Sequence, residues 1–266
     1  MSVPYLDVLG LAATAGGAGR SRCTLAFDAR TANRGGTLHG GVTASLVFVA
    51  AGLALDADAA PVDLALAYLA PGSAADVTAD ATVLRRGSEL AHVEVAVAAG
   101  GRPVARALTV QRVGPAVHVP AATVPPAVVP PEPLAPGIGS PSPFSQRLGI
   151  VVVRRDVASG VALLPWSPDL ADARGDVHAG ALASLVDTAA GAAAWAVVGF
   201  DRRGRAATVN MHLTLHAPAR DEDVVGEAHA VAAHDGLFTT AVRLFGRRTG
   251  RVVGSGSAIY RISLPA

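Results

Sequence analysis

The sequence contains no lysine, so all 22 of its basic side chains are arginines. Set against 21 acidic residues, they give a formal net charge of +1, which provides no overall basic field for binding nucleic acid. Only 16% of the residues are charged and only 4% are aromatic. Hydrophobic residues nevertheless make up 51% of the chain, which is enough to bury a core and excludes disorder throughout.

Cysteine is equally scarce. Because Cys23 is the only cysteine, no disulfide can form within the chain, and no Cys-rich metal site is expected. The first residues lack a basic segment followed by a long apolar run, so we expect no signal peptide. These features favour a cytoplasmic protein.

Long uncharged apolar runs are also absent. The two most apolar stretches are residues 40–55, which number 16, and residues 177–200, which carry His178 and Asp187. A transmembrane helix needs about 18 or more consecutive apolar residues. We therefore interpret both stretches as buried helices and expect no association with a membrane.

Proline marks the organisation of the chain, because 10 of the 18 prolines lie between residues 114 and 143. Proline lacks an N–H donor and cannot support a regular ladder of hydrogen bonds. The pattern predicts a linker at residues 114–143 between an N-terminal unit, residues 1–113, and a C-terminal unit, residues 144–266.

The two units are copies of each other. His39 and His178 are 139 residues apart, and each is followed two residues later by Gly and then by the run Ala-Ser-Leu-Val. An Ala-Pro pair recurs at residues 70–71 and 217–218. Such self-similarity indicates a tandem duplication.

Each copy has the pattern of one helix and five or six antiparallel strands, which is an α+β architecture. The helices are expected to begin near His39 and His178. The predicted strands are residues 23–28, 62–68, 76–84, 92–98 and 104–113 in the first copy, and 160–164, 207–216, 223–233, 239–245 and 251–262 in the second.

This pattern resembles the hotdog fold, in which a curved antiparallel sheet wraps a central helix. The most specific likeness is to the phenylacetyl-CoA thioesterase (PaaI-like) family. It is carried by the loop Asn33–Gly41, similar to the family's Asn-x5-His-Gly-Gly motif, by the helix segment Ser184–Thr188, and by the strand end His216–Ala219. The resemblance covers nearly the whole chain twice and implies a tandem double hotdog.

In that family, each active site joins residues of two paired units. The resemblance therefore implies one site built from Asn33, His39 and Gly40 of the first copy with Asp187 and Thr208 of the second. The reciprocal site would contain Asp172, His178, Ala179, Phe48 and Pro61, with Phe48 where the catalytic acid should stand. We hypothesise that one site is functional and that the other has lost its function.

The chemistry expected at this site is thioester hydrolysis. The free N–H groups at a helix N-terminus can polarise a carbonyl, and Gly40 leaves room for close approach. Asp187 would activate water as a general base or attack the thioester itself. Thr208 and Asn33 would position the reacting groups.

Simpler roles compete with each assignment. Asp187 could pair with an arginine at the interface, and His39 could cap the helix. Asn33 suits a turn and Thr208 suits a strand whatever the function.

The implied substrate is an acyl-CoA, with no metal and no cofactor. Three arginine clusters fall at predicted turns: Arg85 with Arg86, Arg202 with Arg203 and Arg205, and Arg247 with Arg248 and Arg251. One of these clusters could bind the phosphates of coenzyme A, with Arg85, Arg86, Arg247 and Arg248 as the candidates, although solvated loop charge is the simpler interpretation. Phe48 and Trp195 are expected to shape the acyl pocket.

Two alternatives stay open. Degeneration of half the motif is compatible with a non-catalytic acyl-CoA-binding or regulatory protein. An enoyl-CoA hydratase or dehydratase is less well supported, because no matching helix motif is present. For association, we expect either a homo-oligomer built as a dimer of double hotdogs or a pseudo-dimeric monomer.

Overall fold

The computed structural model describes residues 3–14, 16–55, 59–73, 76–115, 142–199 and 204–265. Most of the predicted linker, residues 114–143, therefore lies outside the described residues. The first copy ends in a strand that finishes at Arg112, and the second begins with a short helix at Pro143. The unit boundaries between these two points stay a prediction.

Both copies share one order of elements. The first contains α1 (Pro4–Leu9), β1 (Leu11–Thr14), β2 (Arg20–Leu25), α2 (Gly40–Ala54), β3 (Ala60–Tyr68), β4 (Val77–Arg86), β5 (Leu90–Ala99) and β6 (Arg102–Arg112). The second contains α3 (Pro143–Arg147), β7 (Val151–Asp156), β8 (Ser159–Leu164), α4 (Ala179–Val198), β9 (Arg205–Leu215), β10 (Val224–His234), β11 (Leu237–Gly246) and β12 (Val252–Ser263).

The described strands form one sheet with the order β1-β2-β4-β5-β6-β3-β9-β12-β11-β10-β8-β7. The second half of this order is the first half reversed, as expected for two copies related by a pseudo-twofold axis. β3 and β9 pair antiparallel at the centre, with Ala65 opposite His212. On the inner face of this seam Leu64 and Met211 are fully buried. The predicted tandem double hotdog is confirmed.

The predicted helices and strands are present, with ends that differ by a few residues. Each long helix begins directly after its histidine, since His39 and His178 are the N-cap residues. Two short strands at the outer edges of the sheet, β1 and β7, were not predicted. Their sequences, Leu-Ala-Ala-Thr and Val-Val-Val-Arg-Arg-Asp, do not show the alternation of polar and apolar residues that predicts a strand.

The two central helices cross where small residues face each other. Gly41 of α2 lies against Ser184 of α4, and Gly180 of α4 lies against Ser45 of α2. A Cβ atom added to Gly41 would lie 2.7 Å from the Cα atom of Ser184, and one added to Gly180 would lie 2.9 Å from that of Ser45. Glycine at both positions therefore allows the two helix N-termini to approach closely.

The short helices α1 and α3 each pack against the opposite copy. The backbone N–H of Tyr5 in α1 donates to Ala171 O of the second copy at 3.3 Å. In the same way, Phe144 N–H in α3 donates to Ala32 O of the first copy at 3.3 Å. Both aromatic rings are fully buried. The folded units therefore exchange their N-terminal helices.

Within the described residues, α4 alone is long and apolar enough by composition to cross a membrane. It has 20 residues, and 72% of its most apolar window is buried inside the protein. Its apolar character is therefore accounted for by its position as a core helix wrapped by the sheet.

Replacement of Gly41 by alanine tests the helix crossing. The added methyl group would meet the backbone of Ser184, so we expect Gly41→Ala to lower the free energy of unfolding by about 1–3 kcal/mol in denaturant titrations. Gly52→Ala is the matched control in the same helix, because an added Cβ there meets no atom within 4 Å. The control should stabilise the protein by about 0.5–1 kcal/mol. Equal stability of the two variants would contradict the close approach.

Candidate active site

A cavity of about 1040 Å³ lies at the junction of the two copies. Its walls come from the loop before α2, the first turn of α2, the middle of α4, the start of β9 and the end of β12. The cavity is lined by all five residues predicted to form the site, namely Asn33, His39, Gly40, Asp187 and Thr208. Both copies are therefore needed to build its wall.

Asp187 presents one bonded and one open carboxylate oxygen to this cavity. Its side chain is buried, and the Thr208 hydroxyl donates to Oδ1 at 2.5 Å. Among the described residues, no group donates a hydrogen bond to Oδ2. A carboxylate held by one oxygen keeps the other available to accept a proton or to attack.

A β-bulge aims Thr208 at Asp187. Thr208 pairs with Tyr260 and Asn210 pairs with Ile259, so Val209 is the extra residue in β9. A bulge re-aims the side chains beside it. The first copy has the same irregularity between Pro61 and Asp63, but there the position of Thr208 is occupied by Pro61, which has no hydroxyl.

Gly40 brings the N-terminus of α2 directly against this carboxylate. A Cβ atom added to Gly40 would lie 2.8 Å from Asp187 Oδ2 and 3.1 Å from the Tyr68 hydroxyl oxygen. The Gly40 N–H is the first of the helix and has no acceptor among the described residues. It is therefore free to donate to a ligand, beside the open oxygen of Asp187.

Tyr68 fixes the backbone at this point, because its hydroxyl donates to Gly40 O at 3.0 Å. Burial and the negative charge of Asp187 raise the pKa of Tyr68 well above its usual value. Tyr260, in β12, has a raised pKa for the same two reasons. Both phenols therefore stay protonated at neutral pH, and neither adds a second negative charge beside Asp187.

His39 caps α2 in its neutral form. Its Nδ1 accepts the Gly41 N–H at 2.9 Å, and burial lowers its pKa. Asp187 Oδ2 lies 3.5 Å from the same Nδ1, but this nitrogen uses its lone pair for Gly41 and has no proton to share. The contact is therefore a close approach of two acceptors, and we do not count it as an ion pair.

Asn33 lines the cavity, but its side chain forms hydrogen bonds within its own loop. Its Oδ1 accepts from Gly35 N–H at 2.8 Å, and its Nδ2 donates to the Thr37 hydroxyl at 2.7 Å. Asp172 builds the equivalent turn in the second copy by accepting from Arg174 N–H. The structure gives this position a loop-shaping role in both copies, and the two copies differ there in having an amide at Asn33 and a carboxylate at Asp172.

The capping histidine packs against an aromatic ring in both copies, His39 against Phe144 with ring centroids 5.4 Å apart and His178 against Tyr5. Tyr5 stacks on His178 with ring centroids 4.4 Å apart, and its hydroxyl lies 2.9 Å from that of Ser45. Burial lowers the pKa of His178 to about 4. The residue that corresponds to Asp187 is Phe48, which is buried and does not line the large cavity.

Comparisons with known proteins identify both copies. The family model described as the acyl-CoA thioesterase N-terminal domain matches residues 27–112, and the model of the thioesterase superfamily matches residues 174–252. A Halobacterium salinarum protein with an esterase designation is 33% identical over 103 residues, which span 35% of this chain and 68% of that protein. The chain belongs to the thioesterase superfamily.

Solved structures share the fold over the whole length of this thioesterase-superfamily chain. A hot dog fold protein of unknown function from Alicyclobacillus acidocaldarius is 19% identical, with a TM-score of 0.76 and complete coverage of both chains. An acyl-CoA thioesterase II from Mycobacterium marinum is 17% identical, with a TM-score of 0.72, and the match covers 98% of this chain and 99% of that one.

Among the described arginines of the clusters proposed from the sequence, Arg205 alone lines the cavity of this superfamily member. Arg85, Arg86, Arg247 and Arg248 do not line it. Arg86 instead donates to Leu55 O at the end of α2, and Arg247 pairs with Asp223.

Arg205 lines the cavity together with two further arginines, Arg34 and Arg261. No carboxylate of the described residues lies within ion-pair distance of these three. Sequence reasoning missed Arg34 and Arg261 because each is a single arginine that belongs to no cluster along the chain.

Ser145 of α3 also lines the cavity, although it had no signal in the sequence. Thr188, at the end of the helix segment that carries the resemblance, lines it together with Trp195, the one expected pocket residue that does so. The described residues contain no group of three or more His, Cys, Asp or Glu side chains that could hold a metal ion.

Proposed function

We propose that this protein is an acyl-CoA thioesterase that hydrolyses its substrate at one composite site, without a cofactor. One observation carries the proposal. The Asp187 Oδ2 atom, which accepts no hydrogen bond from the described residues, lies beside the free Gly40 N–H at the junction of the two copies. Membership of the thioesterase superfamily supports the reaction class. The phenylacetyl-CoA family remains a prediction, because it specifies an acyl group.

In the proposed reaction, the thioester carbonyl oxygen accepts the Gly40 N–H, whose position at the helix N-terminus favours the negative charge of a tetrahedral intermediate. Asp187 Oδ2 removes a proton from the attacking water or attacks the carbonyl carbon itself. In the first route the carbon–sulfur bond then breaks, and the proton held by Asp187 passes to the departing sulfur. In the second route the carbon–sulfur bond breaks as a mixed anhydride forms with Asp187, and water then cleaves the anhydride and supplies the proton for the thiolate. Both routes give a free acid and coenzyme A.

The coenzyme A part of the substrate is supported by the charge at the cavity. The phosphates of coenzyme A need cationic partners, and Arg34, Arg205 and Arg261 offer guanidinium groups that no described carboxylate neutralises. The net charge of +1 gives no general attraction for anions, so a local cluster is required.

Asp187→Asn tests the acid. Loss of the carboxylate removes both the general base and the nucleophile, so we expect kcat for acyl-CoA hydrolysis to fall about 10²–10⁴-fold, measured by release of free thiol across a panel of acyl-CoAs. Asp172→Asn is the matched control in the second copy and should leave kcat unchanged, because Asn keeps the Oδ1 acceptor that shapes the loop. Undiminished activity of Asp187→Asn would overturn the assignment, and wild-type protein that binds acyl-CoA without cleaving it would favour the binding-protein alternative.

Gly40→Ala tests the open helix N-terminus. The added methyl group would press on Asp187 Oδ2 and occupy the approach to the N–H, so kcat should fall roughly 10²–10³-fold while the protein remains folded. The mirror change, Ala179→Gly, should not alter hydrolysis, because the second copy has no acid at this point. Equal effects of the two changes in the thiol-release assay would argue against a single composite site.

Replacement of Arg34, Arg205 and Arg261 by alanine tests the phosphate subsite. We expect KM for an acyl-CoA to rise roughly tenfold or more, while KM for the same acyl group on pantetheine, which lacks the phosphates, stays the same. The control pair Arg85→Ala with Arg248→Ala should change neither value. An equal rise in KM for both substrates would contradict a role in binding phosphate.

A further inference from the structure

Ser145 is a buried hydroxyl that the proposed reaction does not use. It lies in α3, the short helix that the second copy packs against the first, and it is 1% exposed. Its Oγ is 3.2 Å from His39 Nε2 and 3.0 Å from the Thr188 hydroxyl oxygen, and it is also 2.9 Å from that of Ser142. Ser145 therefore connects the cap of α2 to α4.

The protons in this chain of hydrogen bonds can be placed by elimination. Because the Gly41 N–H donates to His39 Nδ1, the imidazole proton of a neutral ring is on Nε2. Nε2–H then donates to Ser145 Oγ. The Thr188 hydroxyl donates to Ser184 O at 2.8 Å, so its oxygen is left to accept from Ser145. Ser142 Oγ already accepts the Ser145 N–H at 3.1 Å, so its hydroxyl is left to donate to Ser145 Oγ. Each donor in the chain from Gly41 to Ser184 has one acceptor.

A second arrangement competes with this one. If His39 carried a proton on Nδ1, that proton would face Asp187 Oδ2, which is 3.5 Å away. The carboxylate oxygen that the reaction needs would then be engaged, and Gly41 N–H would lose its acceptor. The position of one proton on His39 thus decides whether Asp187 Oδ2 is open.

We propose that Ser145 is a positioning residue that holds His39 in the Nε2–H form and thereby keeps Asp187 Oδ2 open for catalysis. The catalytic part rests on the proposed function, whereas the position of the proton does not. A buried Nε2–H without an acceptor is costly, and His39, unlike His178, has a carboxylate oxygen 3.5 Å from Nδ1, so loss of the Ser145 hydroxyl favours transfer of the proton to Nδ1. Burial, which lowers the pKa of His39, favours the neutral ring on which this choice depends.

The second copy has the cap without this support. His178 Nδ1 accepts from Gly180 N–H at 3.0 Å, as His39 does from Gly41. The position equivalent to Ser145 is Leu6, which has no hydroxyl, and no carboxylate occupies the place of Asp187. Ser145 is therefore present at the site that contains Asp187 and is absent from the reciprocal site, which has no carboxylate.

The test is 15N NMR of protein with labelled histidine, in wild type, Ser145→Ala and Ser145→Thr at neutral pH. His39→Gln and His178→Gln assign the signals of the two capping histidines. We expect the wild-type His39 ring to carry its proton on Nε2, and Ser145→Ala to move it to Nδ1 while the His178 signals stay in place. Ser145→Thr, which keeps the hydroxyl, should restore the wild-type pattern.

The kinetic arm measures thiol release from an acyl-CoA. Ser145→Ala should lower kcat about tenfold or more with KM unchanged, and Ser145→Thr should recover most of it. The proposal is overturned if wild-type His39 carries a proton on Nδ1, or if kcat falls in Ser145→Ala without a change in the His39 signals. Absence of hydrolysis in the wild type together with the expected NMR pattern would count against the proposed function alone.

Discussion

The close crossing of α2 and α4 is the contact on which the rest of this molecule depends. Gly41 against Ser184 and Gly180 against Ser45 bring the two helix N-termini together without side chains between them. Each serine hydroxyl also donates to the carbonyl of the glycine one turn earlier, so the small polar groups are satisfied within their own helices. Because the backbones meet here, a carboxylate two and a half turns along α4 reaches the first residue of α2.

A symmetric framework thus supports an asymmetric site. The sheet order, the helix crossing, the β-bulges and the exchanged short helices occur in both copies. The residues of the site do not recur in both copies. Asp187, Thr208 and Gly40 face one cavity, and the mirror positions are occupied by Phe48, Pro61 and Ala179. The backbone therefore provides two equivalent positions for a reacting group, and the side chains determine that only one of these positions carries such a group.

Much of this arrangement could be predicted from the sequence. The spacing of His39 and His178 locates both helices, since a histidine cap and a following glycine are local features. The resemblance to a known motif pairs Asp187 with Gly40, although these residues are far apart in the chain. The role of Ser145 could not be predicted from the sequence, because its contacts depend on the packing of α3 against the opposite copy. Arg205 and Arg261 meet at the cavity only through the pairing of β9 with β12.

The presence of Phe48 where the other copy has Asp187 has a consequence for how such a chain evolves. In an assembly of two identical chains, every substitution appears at both sites at once, so a change that removes the acid from one site also removes it from the other. When the two copies are joined in one chain, a substitution changes only one of the two sites. The position that mirrors the acid holds a buried aromatic ring, so a place for a reacting group has become part of the hydrophobic core.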